Sequence, residues 1–178
     1  MGPDELKGLI RTVPDFPKSG IQFRDITTLL AHGEGLAGSI KQMAAIARSL
    51  DADAVAGIEA RGFIFGTALA LELELGFVPL RKAGKLPVET IGEDYALEYG
   101  TARLELDPTL VSDGEKVLLI DDLLATGGTA IAGARLLRRA GAVVEHALFV
   151  IDLPELGGAR ALADETLKTH SVISFEGH

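Results

Sequence analysis

Val117-Leu118-Leu119-Ile120-Asp121-Asp122-Leu123-Leu124-Ala125-Thr126-Gly127-Gly128-Thr129 decides the fold and carries most of the chemistry. Its short apolar start, bounded by polar residues, reads as a buried strand of a parallel sheet. Two carboxylates follow at the carboxyl end of that strand, the edge where open parallel sheets bind ligands. A loop of two glycines and two threonines comes next, then a helix predicted over 129–140 with Gly141 as its terminator. The free N–H groups and positive dipole end of a helix N-terminus suit a phosphate. Glycine lets the backbone approach the anion, and the Thr126 and Thr129 hydroxyls can donate to it. Acids beside an anion site repel the anion unless they serve another part of the ligand. A ribose 5-phosphate, with vicinal hydroxyls beside its phosphate, resolves the conflict. The plainer alternative, an Asp cap followed by an ordinary Gly-Gly turn, explains each part but not their occurrence together in order. No Lys follows the second glycine, so the loop is not a nucleotide-kinase phosphate loop.

Outward from this stretch, strand and helix patterns alternate. Leu36, Ile40, Met43, Ala44, Ala47 and Leu50 recur at helical steps over 36–50. Residues 54–58 read as a buried strand and 63–75 as a mostly buried helix. Gly76 stops that helix, and Phe77 to Leu80 begins another strand. Val143 to Ile151 supplies a further strand and 155–165 a further helix. The expectation is an α/β fold, a central mostly parallel sheet flanked by helices. Tyr95 to Leu106 departs from it, alternating apolar and polar residues around Gly100-Thr101 as an antiparallel hairpin would. Ala83-Gly84-Lys85 and Gly92-Glu93-Asp94 before it read as flexible. Residues 1–30, rich in proline and turn formers, read as a small cap on a single domain spanning 1–178.

Composition narrows the function. The 178 residues carry 17 basic and 26 acidic side chains, a formal charge of −9. That balance argues against a general nucleic-acid binder. The chain has no cysteine, which excludes disulfides, thiolate zinc sites and cysteine nucleophiles and fits a reducing compartment. Met-Gly-Pro-Asp-Glu lacks the order of a secretion signal, and Leu6 stands where myristoylation needs Ser or Thr. The apolar stretch Gly62 to Leu80 is broken by Glu72, Glu74 and Pro79, so it is not a membrane span. A cytoplasmic protein with no membrane partner is expected. Gly33-Glu34-Gly35-Leu36-Ala37-Gly38 imitates a dinucleotide fingerprint, but Asp25 to His32 is a poor buried first strand, and the glycines read as a loop before a helix. His32, His146, His170 and His178 lack metal-ligand spacing and read as surface or packing residues. Arg135, Arg138 and Arg139 read as a solvated helix face.

Val117 to Thr129 resembles the phosphoribosyl-diphosphate motif of the type I phosphoribosyltransferases. Three further segments are similar to the adenine-using branch of that family: Phe16-Pro17-Lys18-Ser19-Gly20-Ile21-Gln22-Phe23-Arg24-Asp25-Ile26, Glu59-Ala60-Arg61-Gly62-Phe63-Ile64-Phe65-Gly66, and Arg81-Lys82-Ala83-Gly84-Lys85-Leu86-Pro87 with Leu97-Glu98-Tyr99-Gly100. The resemblance runs in register from about residue 10 to 150. It implies the type I phosphoribosyltransferase fold and transfer of 5-phosphoribosyl from its 1-diphosphate to adenine N9, giving AMP and diphosphate with Mg²⁺ carried on the substrate. It also implies a homodimer.

The resemblance distributes the roles as follows. Asp121 and Asp122 would hold the ribose, and Ala125, Thr126, Gly127, Gly128 and Thr129 the 5-phosphate. Glu59, Ala60 and Arg61 would form the diphosphate turn, with a cis peptide between Glu59 and Ala60. Arg81, Lys82 and Lys85 would add cations, partly from the neighbouring subunit. As an isolated cluster these three would read as a solvated face. Ile21, Gln22, Phe23 and Arg24 would lie across the adenine, and Gln22 departs from the apolar residue usual there. Glu98 would manage a proton on the base, from a loop that also carries Tyr99. A sister transferase for another base, or a non-catalytic phosphoribosyl-diphosphate sensor, are the alternative functions.

Overall fold

The computed structural model describes residues 1–97 and 99–177. The chain opens with α1 (Pro3–Gly8), β1 (Arg11–Pro14), β2 (Gln22–Asp25), α2 (Thr27–Leu30) and α3 (Gly33–Ala47). It continues through β3 (Ala54–Ile58), α4 (Arg61–Glu72), β4 (Gly76–Lys82), β5 (Ile91–Ala96) and β6 (Thr101–Leu106). It ends with β7 (Val117–Leu124), α5 (Gly128–Arg139), β8 (His146–Asp152), α6 (Gly158–Asp164) and β9 (Lys168–Ser174). Seven strands form one sheet in the order β5-β6-β4-β3-β7-β8-β9, and β1 and β2 form a separate antiparallel ribbon. From β4 to β9 all neighbours are parallel, while β6 runs antiparallel to β4 and to β5.

The sheet sits where it does because its central strands are apolar on both faces. Every residue of β3 is buried, as are the first four of β7. On one face Ile58, Leu80 and Leu119 pack with Ala130, Leu136 and Leu137 of α5 and Leu162 of α6. On the other, Val55, Leu118 and Val150 pack with Met43 and Ala44 of α3 and Phe65 and Leu69 of α4. Leu6, Ile10, Ile26 and Leu29 from the N-terminal region join this second layer, so the cap is welded to the domain by apolar burial.

Several elements depart from the sequence reading. The hairpin is not an appendage preceded by a flexible stretch: Gly92, Glu93 and Asp94 pair in register with Glu105, Leu104 and Arg103, and both strands extend the central sheet. β9 escaped the reading because an edge strand of mainly polar residues buries only Val172 and Ile173, leaving no alternation to detect. Gly33 to Gly38 lie inside α3, after α2 and not after a strand, with the His32 ring accepting the Gly35 N–H at 3.0 Å as an N-cap. The dinucleotide reading therefore lacks its strand. His146 and His170 form a half-buried pair on neighbouring strands with ring nitrogens 3.0 Å apart. His178 lies outside the described residues.

The arginine stripe of α5 is solvated at Arg135 and Arg139, as read, but each of its arginines also ties the helix to a neighbouring segment. Arg138 donates to the carbonyls of Glu165 at 2.7 Å and Val144 at 2.6 Å. Arg135 pairs with the Glu165 carboxylate, and Arg139 reaches the Gly92 carbonyl at 2.5 Å and Glu93 at 3.1 Å. The partly buried Arg138 donates to two main-chain acceptors at once, tying α5 to the segments before β8 and β9. Arg138→Leu is expected to cost about 1–3 kcal/mol in urea denaturation, and the exposed Arg135→Leu less than about 1 kcal/mol. Equal costs would contradict this division.

Candidate active site

β7 does not stop before its aspartates but runs through them to Leu124, with Asp121 in register with Phe149 of β8. The two carboxylates therefore alternate across the strand. Asp122 is only 6% exposed, and the Arg61 Nε–H donates to its Oδ2 at 2.5 Å. The Asp122 N–H donates to Asp121 Oδ1 at 2.8 Å. Burial, and then the neighbouring charge of Asp122, push the Asp121 carboxyl well above the usual carboxylate range. Arg61 gains affinity for its proton, first from the charge of Asp122 and then from its hydrogen bond. Close packing of α4 against β7 makes the pair possible. A Cβ on Gly62 would stand 3.0 Å from the Ile120 carbonyl and 3.1 Å from Asp121 Oδ1, so any side chain there would press the start of α4 away from β7.

After Leu124 the chain turns through Ala125 and Thr126 to Gly127, whose φ of 93° is the left-handed conformation glycine tolerates. α5 begins at once, and its N-terminus, Arg61 and both aspartates enclose a cavity of about 230 Å³ with Leu123, Thr126, Gly128 and Thr129 in its wall. A second cavity of about 230 Å³ lies against it, lined by 21–27, Leu123 and Leu153. Arg61, Asp122 and Leu123 belong to both. The first is a cradle of N–H and hydroxyl groups with two acids, the second a largely apolar slot.

The structure thus brings Ile21, Gln22, Phe23 and Arg24 to one side of Arg61 and Ala125 to Thr129 to the other. The Arg24 guanidinium is occupied elsewhere. It donates to Thr12 Oγ1 at 2.6 Å and the Glu176 carbonyl at 3.3 Å, and lies 4.4 Å from the Phe175 ring centroid. Leu123 and Leu153 were missed by the sequence reading. Leu153 directly follows β8 and donates its N–H to the Leu124 carbonyl at 3.0 Å. The rule that ligands gather at strand carboxyl ends was the available signal.

The peptide between Glu59 and Ala60 is cis, and Ala60 is the N-cap position of α4. The Glu59 carboxylate accepts from Arg81 Nε at 2.9 Å and the Lys82 N–H at 3.2 Å, and pairs with Lys85 Nζ at 3.0 Å. Burial favours its neutral form, but these hydrogen bonds outweigh that and hold its pKa at about 2. The cluster Glu59, Arg81, Lys82 and Lys85 is therefore assembled, with two of its cations already facing a carboxylate. It stands beside the two cavities and not in their walls. Tyr99, at the hairpin tip, is 82% exposed with the Lys18 ammonium 5.5 Å from its ring centroid, which joins the tip to the cap. Glu98 lies outside the described residues.

A phosphoribosyl transferase domain model matches residues 25–174. An adenine phosphoribosyltransferase of Erythrobacter litoralis is 64% identical over 178 residues, the full length of both chains. The crystal structure of the adenine phosphoribosyltransferase from Thermoanaerobacter pseudethanolicus superposes with a TM-score of 0.89 at 44% identity, covering 97% of this chain and 99% of that one. The Giardia lamblia enzyme complexed with 9-deazaadenine gives a TM-score of 0.91 at 34% identity, covering 98% of each chain.

The Glu59 cluster sets a pH dependence. The folded-state pKa of Glu59 lies below its ordinary value of 4.5, so its contribution is complete above that value and is lost as pH falls toward 2. Glu59→Gln is expected to flatten the loss of stability between those limits, measured by chemical denaturation at stepped pH. Part of the acid limb should persist in the variant, because Thr27, and next Arg11, hold Asp25 at about 2 as well.

Proposed function

Because the chain belongs to the phosphoribosyl transferase family, in its adenine phosphoribosyltransferase branch, we propose that it transfers 5-phosphoribosyl from 5-phospho-α-D-ribose 1-diphosphate to adenine, a purine-salvage reaction. The observation that carries this reading is the wall of Arg61, Asp122 and Leu123 common to both cavities. A phosphoribosyl group in the polar cavity and a flat base in the apolar one would meet across it.

Adenine N9 bonds to ribose C1 as the bond from C1 to the diphosphate oxygen breaks, and the base loses the proton from N9. Charge at C1 becomes oxocarbenium-like as the leaving group departs, as in glycoside cleavage. Asp121 and Asp122 would hold the ribose hydroxyls, and the Asp122 charge would favour that cation. Ala125 to Thr129 would fix the 5-phosphate on the N-terminus of α5, which contributes positioning more than chemistry. Arg61, on the wall common to the two substrates, would meet the departing diphosphate, with Glu59, Ala60, Arg81, Lys82 and Lys85 alongside. Glu98 would take the base proton, and Tyr99 would help the hairpin tip to cover the reacting atoms.

Mg²⁺ would arrive on the diphosphate and ribose oxygens of the substrate, keep several waters and neutralise the leaving charge, with no dedicated protein ligand. Asp121 and Asp122, which line the polar cavity, would hold the ribose hydroxyls next to it. The reading extends to a homodimer, supported by the outward face of α4, where Leu71 is 81% exposed and Ile64 is exposed beside it. We assign the protein to the cytoplasm, consistent with a cysteine-free chain. Among the described residues no helix is long and apolar enough to cross a membrane.

A panel of adenine, hypoxanthine, guanine, uracil and orotate with Mg²⁺ and phosphoribosyl diphosphate tests the reading. Nucleotide and diphosphate should form with adenine alone. Asp121→Asn/Asp122→Asn should lower turnover by at least about 100-fold, the scale on which removal of electrostatic stabilisation acts. Turnover with another base would overturn the adenine assignment, and binding without turnover would favour the sensor.

A further inference from the structure

Phe175 lies just beyond β9 and is 7% exposed. Its N–H donates to the Asp152 carbonyl at 3.1 Å, which carries the β8–β9 pairing one residue past the strand. Asp152 is followed by Leu153, one wall of the apolar cavity. The ring of Phe175 meets two cations, the Arg24 guanidinium 4.4 Å and the Lys7 ammonium 4.8 Å from its centroid. Arg24 belongs to β2, and residues 21–24 form the opposite wall of the same cavity. The Arg24 Nε is buried and has no acceptor among the described residues, so the guanidinium is held by Thr12, the Glu176 carbonyl and the ring face. One buried aromatic is therefore attached by its main chain to one wall and by its side chain to the other, while lining neither cavity.

We propose that Phe175 is a positioning residue for the base: through Arg24 and Asp152 it fixes the spacing between β2 and the carboxyl end of β8, and so the fit of a planar purine between them. The role rests on the adenine reading above. It separates from a general packing role because the phosphoribosyl cavity is built from β7, α4 and α5 with only Phe149 of β8 added, and neither Arg24 nor Asp152 lines it. A loosened Phe175 widens the slot and leaves the phosphate cradle as it was.

The test is steady-state kinetics of Phe175→Leu, Phe175→Tyr and Lys7→Met, with thermal midpoints measured beside them. Removing the ring face should raise KM for adenine about fivefold, equivalent to about 1 kcal/mol and within the range of a cation–π contact. In the same variant kcat and KM for phosphoribosyl diphosphate should stay within about twofold, the discrimination signature of ground-state binding. Phe175→Tyr keeps the ring face and should restore KM for adenine to within about twofold of wild type. Lys7→Met leaves the buried core intact, carries the test should Phe175→Leu not fold, and should raise KM for adenine about threefold, above the margin that counts as unchanged. An unchanged KM for adenine in both Phe175→Leu and Lys7→Met overturns the role. Both substrates' KM values rising together with a falling thermal midpoint also overturns it, as does a Tyr variant no better than Leu. Absence of wild-type turnover with adenine would overturn the activity reading and this one with it, whereas wild-type turnover with unaltered variants removes the positioning role alone.

Discussion

The ion pair between Arg61 and Asp122 is the contact on which the rest of the site depends. It joins the first residue of α4 to a buried carboxylate of β7, and its two members are common to both cavities. An acid as buried as Asp122 needs a partner, since an isolated buried carboxylate is costly. Arg61 can be that partner because Gly62 lets α4 sit against the Asp121 main chain. Remove the close approach and the cation, the acid pair and the common wall separate together. The pair also divides the two acids chemically. Asp122 has its cation, while Asp121, raised by burial and by its neighbour, is the member biased toward the neutral form.

A second electrostatic arrangement lies on the other side of the cis turn. The chain is strongly acidic overall, yet Arg81, Lys82 and Lys85 gather within five residues. Glu59 explains how they coexist with so few other constraints, since it anchors Arg81, the Lys82 amide and Lys85 at one carboxylate. The cluster is thereby ordered before any anion reaches it, which limits the side-chain entropy lost on binding. Any anion drawn to these cations would compete with Glu59 for Arg81 and Lys85.

Much of this was legible in the sequence, for physical reasons that also explain the gaps. Val117 to Thr129 announced itself because a buried strand, two acids and a glycine loop each leave a strong local signal, and the structure puts them on one cavity. The helix read over 36–50 was visible as an apolar stripe, though it starts at Gly33 and ends at Ala47, and the one read over 129–140 was marked by the glycines on either side of it. β9 and the ribbon of β1 and β2 were not, because short or edge strands of polar residues bury too little to impose alternation. Arg138 looked like any surface arginine; its partners are carbonyls 6 and 27 residues away, which spacing does not reveal. Leu153 and Phe175 are ordinary apolar residues by sequence, and only the meeting of β8, β9 and the cap gives them a place beside the base cavity.

α5 connects the polar cavity to the hairpin. Its first turn closes one wall of the polar cavity, and its last turn carries Arg139, which holds the Gly92 carbonyl and Glu93 at the base of β5. Arg135 adds the Glu165 side of the same helix to that network. Six paired residues on each strand then run from Ile91 with Leu106 to Ala96 with Thr101. A hairpin fixed at its base to the helix that walls the polar cavity cannot swing as a whole without disturbing that wall. Beyond the last pair, Ala96 with Thr101, the Tyr99 ring stands against Lys18 of the cap. The sheet below the tip is therefore a fixed platform, held at one end by α5 and at the other by its contact with the cap.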